Sequence, residues 1–156
     1  MADEAPFEIV ISKTKSLGLA VAIHNTSSKE LTYCHDMFWQ PTLLILRDRS
    51  GNQVHCNDQR VIMRPASPID RYCFRELGPD GTEQLYDADF ERHTEGGYKL
   101  YWGHQQFHQI APGRYKAFVT FECQRDSWAD DDRKWHHEDG IWMGVVRSNE
   151  IEIELP

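Results

Sequence analysis

Alternation of apolar and polar side chains at a period of two runs through most of this chain, and helical periodicity is weak throughout. Phe7-Glu-Ile-Val-Ile11 reads as a short strand. In Leu17-Gly-Leu19-Ala-Val21-Ala-Ile23 every odd position is large and apolar, the signature of a strand with one face on a core. His24 to Lys29 is turn chemistry, with side chains suited to bond back to their own backbone. Thr42 to Arg47, followed by a polar turn at Asp48-Arg-Ser-Gly51 and a resumed strand at Val54, predicts a hairpin. Cys56 to Asp70 is irregular, with Pro65 and Pro68 against a helix or central strand. Arg71 to Leu77, the turn Gly78-Pro-Asp-Gly81 and a strand from Glu83 to Phe90 come next.

The clearest segment is Lys116 to Cys123, entered by the turn Ile110 to Tyr115. Tyr115, Ala117, Val119, Phe121 and Cys123 share one face, while Lys116, Phe118, Thr120 and Glu122 share the other. A last strand is predicted from Ile141 to Leu155, where Ile151, Ile153 and Leu155 alternate with Glu150, Glu152 and Glu154. Seven to nine such strands imply an all-β, antiparallel two-sheet sandwich forming one domain over residues 1–156. A chain of 156 residues buries about 70% of its unfolded surface and needs no cross-links to fold.

Three stretches resemble the immunoglobulin-like β-sandwich domains of bacterial proteins. Leu43 to Asp48 with Gly51 is similar to that family's strand and turn. Ile110 to Tyr115 resembles the entry to its penultimate strand, which implies that Tyr115 forms a tyrosine corner. Trp142 to Asn149 followed by Glu150 to Glu154 resembles its closing strand. The second strand holds no cysteine opposite Cys123, so the antibody-type disulfide is not expected. The resemblance implies a binding or inhibitory module more readily than an enzyme.

Charge and motifs narrow the function further. Seventeen Lys and Arg against 25 Asp and Glu leave a net charge of −8, which disfavours binding to a phosphate backbone and favours a basic protein partner. No apolar run approaches the roughly 18 residues of a helical membrane span. Met1 to Phe7 has neither the basic nor the apolar region of a signal peptide, so a cytoplasmic protein is expected, with a periplasmic or secreted domain lacking its leader as the alternative. Phosphate-loop, dinucleotide, nucleophile-elbow and zincin motifs are missing, and no carboxylate pair has a spacing that predicts acid/base geometry. The reading is therefore no enzyme and no cofactor. Cys34, Cys56, Cys73 and Cys123 are widely spaced; thiols are expected, although three disulfide pairings are possible. Asn25-Thr26-Ser27 is a glycosylation sequon only on a eukaryotic secretory route.

The candidate site is the 17-residue connection Gln124 to Gly140, against about 2 to 5 residues for most hairpin loops. It carries Asp126, Asp130, Asp131, Asp132, Glu138 and Asp139 against Arg125, Arg133 and Lys134, and it holds Trp128 and Trp135. Tryptophan amid charge is the composition of an interface anchor. Trp128 and Trp135 are the expected anchors, with Asp130, Asp131, Asp132, Glu138 and Asp139 as the charged rim. The alternative folds both tryptophans back over the core, with a short helix from Asp130 to His137. A second function class is an extracytoplasmic metal-binding domain using His104, His108, His136 and His137, four of the eight histidines. A third is an accessory sandwich domain of a larger secreted protein. Phe38, Trp39, Tyr98, Tyr101 and Trp102 are read as core or sheet-face residues.

Overall fold

The computed structural model describes residues 4–35, 42–58, 71–123 and 126–156. Phe38, Trp39, Pro65, Pro68, Gln124 and Arg125 lie outside them. Among the described residues the secondary structure is strand with one 3-10 turn at Arg71–Cys73, every ladder is antiparallel, and no helix is long and apolar enough to cross a membrane.

In chain order the strands are β1 (Phe7–Lys13), β2 (Gly18–Asn25), β3 (Leu31–Cys34), β4 (Thr42–Asp48), β5 (Asn57–Asp58), β6 (Phe74–Leu77), β7 (Thr82–Asp89) and β8 (Glu91–Arg92). They continue with β9 (Tyr98–Trp102), β10 (Gln105–Ile110), β11 (Gly113–Cys123), β12 (Ser127–Ala129), β13 (Trp135–His137), β14 (Gly144–Arg147) and β15 (Ile151–Leu155). One sheet has the order β1-β2-β7; in another, β11 is flanked by β4 on one side and by β14 and β15 on the other. A third runs β5-β10-β9-β8, and β3-β6 and β12-β13 are separate two-stranded ladders. The architecture is all-β and compatible with a sandwich, but it is divided into more and smaller sheets than the two expected.

Alternation explains the core. Leu19, Val21 and Ile23 of β2 are completely buried, as are Ala117, Val119 and Phe121 of β11. Phe7 joins the two sheets, its ring edge-on to Phe121 at 5.7 Å and to Trp142 at 5.3 Å. The third sheet adds Tyr98, Leu100, Trp102, Phe107 and Ile110 to the same core. Tyr115 donates its hydroxyl to the carbonyl of Ala111 four residues back, at 2.5 Å, the contact that the resemblance implied.

Phe118 departs from the alternation. It belongs to the outer face of β11 yet is buried, because Arg147 lies 3.7 Å and Arg47 5.3 Å from its ring centroid. The two arginines, one from each flanking strand, cover the ring with their guanidinium groups.

The predicted last strand is broken. Ser148 stands opposite Val119, donating its N–H to the Val119 carbonyl and accepting the Val119 N–H on Oγ, both at 2.9 Å. This keeps β11 paired across the gap. Asn149 meanwhile turns its carboxamide to β1, accepting from Ile11 N at 2.9 Å and donating to Ile11 O at 3.1 Å. The exposed edge of β1, a potential template for another chain, is therefore closed at its middle by a side chain.

Gln105 does the same for β4. Its Oε1 accepts Leu44 N at 2.7 Å and its Nε2 donates to Leu44 O at 3.0 Å. Further along that edge Val54 N donates to Leu46 O at 2.8 Å, and Asp48 N donates to Asn52 O at 2.9 Å. The hairpin expected after Asp48 is present only as this short return, with one bridge between Arg47 and Gln53.

Asn25 closes the end of β2. It is fully buried, donating Nδ2 to the carbonyls of Lys29, Leu77 and Gly78 and accepting on Oδ1 from Ser27 N and Ser27 Oγ, at 2.8 to 3.0 Å. The turn chemistry expected at His24 to Lys29 is thus observed, and in the folded protein the sequon asparagine is out of reach of modification.

Candidate functional site

The 17-residue connection is not a bare loop. Ser127, Trp128 and Ala129 pair with His137, His136 and Trp135, so β12 and β13 form a hairpin of their own; the alternative helix from Asp130 to His137 is absent. The reason lies in Asp130. Its Oδ1 accepts the backbone N–H groups of Asp132 at 3.0 Å and Lys134 at 2.9 Å, and its Oδ2 meets His136 Nε2 at 2.8 Å. An aspartate bonding to backbone two and four residues ahead favours a turn over helix continuation. Arg133, at φ 61°, completes the reversal in the left-handed region. The His136 contact first, and the Lys134 N–H second, hold the Asp130 carboxyl below the usual aspartate range.

Trp128 stands directly opposite His136 and stacks on it, with ring centroids 4.4 Å apart and planes 18° from parallel. Such cross-strand ring pairs are the unit of sheet stabilisation. The indole N–H donates to Glu138 Oε1 at 2.9 Å, and Arg71 Nε lies 3.6 Å from the same oxygen, tying the hairpin to the segment ahead of β6. His137 lies between Asp126 at 3.5 Å and Asp139 at 3.4 Å.

The predicted residues therefore divide into two groups. Trp128, Asp130 and Glu138 are engaged inside the hairpin and act as its frame. Trp135 is 62% exposed, and Asp131, Asp132 and Asp139 are exposed as well, as are Arg133 and Lys134 next to Trp135 in the chain. An open groove of about 500 Å³ runs between the hairpin and β6, walled by Arg71, Phe74 and Glu76 on one side and by Trp128, Asp130 and Asp131 on the other. The sequence reading did not include Arg71, Phe74 or Glu76. They precede the hairpin by more than fifty positions, and only the tertiary fold brings them to it.

The four histidines named for a metal do not converge. His104 occupies the turn between β9 and β10, His108 lies on β10, and His136 and His137 belong to β13. Among the described residues no group of three or more His, Cys, Asp or Glu is placed to hold a metal ion. His108 instead shares an open groove of about 350 Å³ with His55, His93 and Glu95. Cys34 and Cys123 are buried, Cys56 and Cys73 half-buried.

A half-buried polar network lies elsewhere, between the β3-β6 ladder and β7. Tyr33 donates to Glu83 Oε2 at 2.7 Å, and Arg75 Nη1 meets Glu83 Oε1 at 2.8 Å. Burial, and then the hydrogen bond to Glu83, push the Tyr33 hydroxyl well above the usual tyrosine range. Burial, and then the charge of Arg75, push the His35 imidazole below its usual value. Tyr33 and Arg75 face one another across the ladder, so the network fastens a short two-stranded element to the main sheet.

No protein-family model matches the chain, and no curated protein matches its sequence.

Proposed function

We propose that this chain is an immunoglobulin-like β-sandwich domain that binds a basic protein partner without catalysis, occluding it stoichiometrically as an inhibitor or toxin-immunity protein does. The observation that carries the reading is Trp135, 62% exposed on a hairpin whose turn is braced by Asp130. A large ring held out to solvent on a pre-ordered element loses little freedom when it is covered, which is the property of a binding hot spot. The exposed Asp131, Asp132 and Asp139 of the same connection contribute negative charge to it, and the net charge of −8 draws a cationic partner into encounter. The groove beside β6 offers room for a side chain of that partner.

Affinity capture from native lysate tests this, with wild type compared against Trp135→Ala. One abundant basic protein retained by wild type, and bound more weakly by over about 1 kcal/mol in the variant, is the expected result. The thermal unfolding of Trp135→Ala is expected to match wild type, because the ring contributes little to the core. Equal retention by the folded variant refutes the site. Adding Trp128→Ala to Trp135→Ala removes the hairpin's internal stack as well as the anchor, and is expected to abolish capture.

A further inference from the structure

The outer face of the sheet built on β11 carries a second feature, opposite in sign to the hairpin. Arg47 of β4 and Lys116 of β11 are direct partners in the ladder. Like charges placed directly opposite one another destabilise a strand pair. Arg49 and Arg114 stand close by, and the four cations line an open groove of about 450 Å³.

Three acids share this groove with the four cations, which leaves its lining one positive charge in excess. Asp48 is engaged in its own turn, its Oδ1 accepting Ser50 N and Asn52 N at 2.9 Å. Glu150 is divided between Arg147 at 3.3 Å and Lys116 at 3.8 Å. Glu152 stands opposite Lys116 in the β11-β15 ladder but forms no ion pair with any described residue. Arg114 reaches only Glu154, at 3.9 Å, and neither Arg47 nor Arg49 forms an ion pair with a described residue. On a chain of net charge −8, a groove with under-paired arginines is an exception that calls for a counter-charge.

We propose that this groove binds a phosphate group, free or carried on a small ester. Three of the four cations are arginines, whose planar forks match phosphate oxygens two at a time. A doubly charged anion between Arg47 and Lys116 relieves the repulsion along the ladder. Glu152, on the far wall, confines the anion to the arginine side. This site is separate from the Trp135 hairpin and does not depend on the proposed partner.

The test uses inorganic phosphate and phenyl phosphate as probes, titrated at constant ionic strength and followed by backbone amide shifts with sodium chloride as the control. Saturable shifts confined to residues 47–52 and 113–117 are expected with a phosphate probe and not with chloride. Response to inorganic phosphate alone identifies free phosphate as the ligand, and response to both probes an ester. Lys116, with a side chain 62% exposed, is replaceable without loss of fold. Lys116→Gln is expected to weaken binding about tenfold, the equivalent of one charge-assisted hydrogen bond. Glu152→Gln is expected to tighten it. No saturable shift with either probe, or affinities unchanged in both variants, overturns the proposal.

Discussion

Replacing Gln105 tests whether a single side chain can do the work of a neighbouring strand. The residue is 3% exposed, and its carboxamide provides both an acceptor and a donor to the backbone of Leu44. Gln105→Met preserves length and approximate volume while removing both bonds. Each buried group left unpaired costs about 1 to 3 kcal/mol, so the variant is expected to lose roughly 2 to 6 kcal/mol. That is a large share of the 5 to 15 kcal/mol typical of a domain. With a urea m-value of about 2 kcal/mol/M, the midpoint falls by about 1 to 3 M at unchanged m.

Gln105→Glu sharpens the test, because a protonated carboxyl can reproduce both bonds and a carboxylate cannot donate to Leu44 O. Burial and the facing carbonyl raise the folded-state pKa of the new acid above its unfolded value. The native state then holds the proton more tightly, so this variant is most stable below the ordinary glutamate pKa of about 4.3. It weakens as pH rises from there through the folded value. Urea titrations of wild type and both variants between pH 4 and 7.5 provide the measurement. A Gln105→Met unfolding free energy within about 0.5 kcal/mol of wild type refutes the reasoning.

Two further predictions concern titrating groups. The His35 imidazole is pushed below its usual pKa by burial and by Arg75, so between the folded value and about 6.5 the unfolded chain binds more protons. Stability is expected to fall as pH drops below about 6.5, and the urea midpoints of His35→Gln at pH 7.5 and 5.5 are expected to differ less than those of wild type. Asp130→Ala is expected to speed amide hydrogen exchange across residues 130–137 while leaving β2 and β11 protected. In wild type the Asp130 contribution is full above the ordinary aspartate pKa and is lost as pH falls through the depressed folded value, a change that amide exchange in the hairpin reports.

What could be read from the chain alone follows how local each interaction is. β2 and β11 were legible because Leu19, Val21 and Ile23, and Ala117, Val119 and Phe121, declare one buried face by spacing alone. Tyr98, Leu100 and Trp102 alternate with Lys99 and Tyr101 in the same way. The exposed Tyr101 blurs the contrast there, and spacing alone leaves those aromatics as core or sheet-face residues without the strand order around them. Leu31–Cys34 is too short for a period to emerge, and its ladder partner is β6, forty residues away. The long connection was recognised by its length and composition, but its hairpin depends on one carboxylate satisfying two backbone groups, which a helix-compatible pattern conceals. The break at Ser148 and Asn149 was hidden for a related reason. Both residues answer to partners on other strands, Val119 and Ile11.

The enclosure of Asn25 has a consequence for how the chain can be produced. Attachment of a glycan acts on the extended, unfolded chain, whereas the folded protein surrounds this carboxamide with five hydrogen-bond contacts. In a secretory pathway, folding and modification therefore compete for the same nitrogen. A chain modified first carries a bulky sugar where the Lys29, Leu77 and Gly78 carbonyls must close, so the glycosylated fraction is trapped outside the native state. Yield from such a pathway becomes a race between closure of the β2 turn and the transferase, and replacing Ser27 by alanine removes the race while sacrificing one of the five contacts, that of Ser27 Oγ.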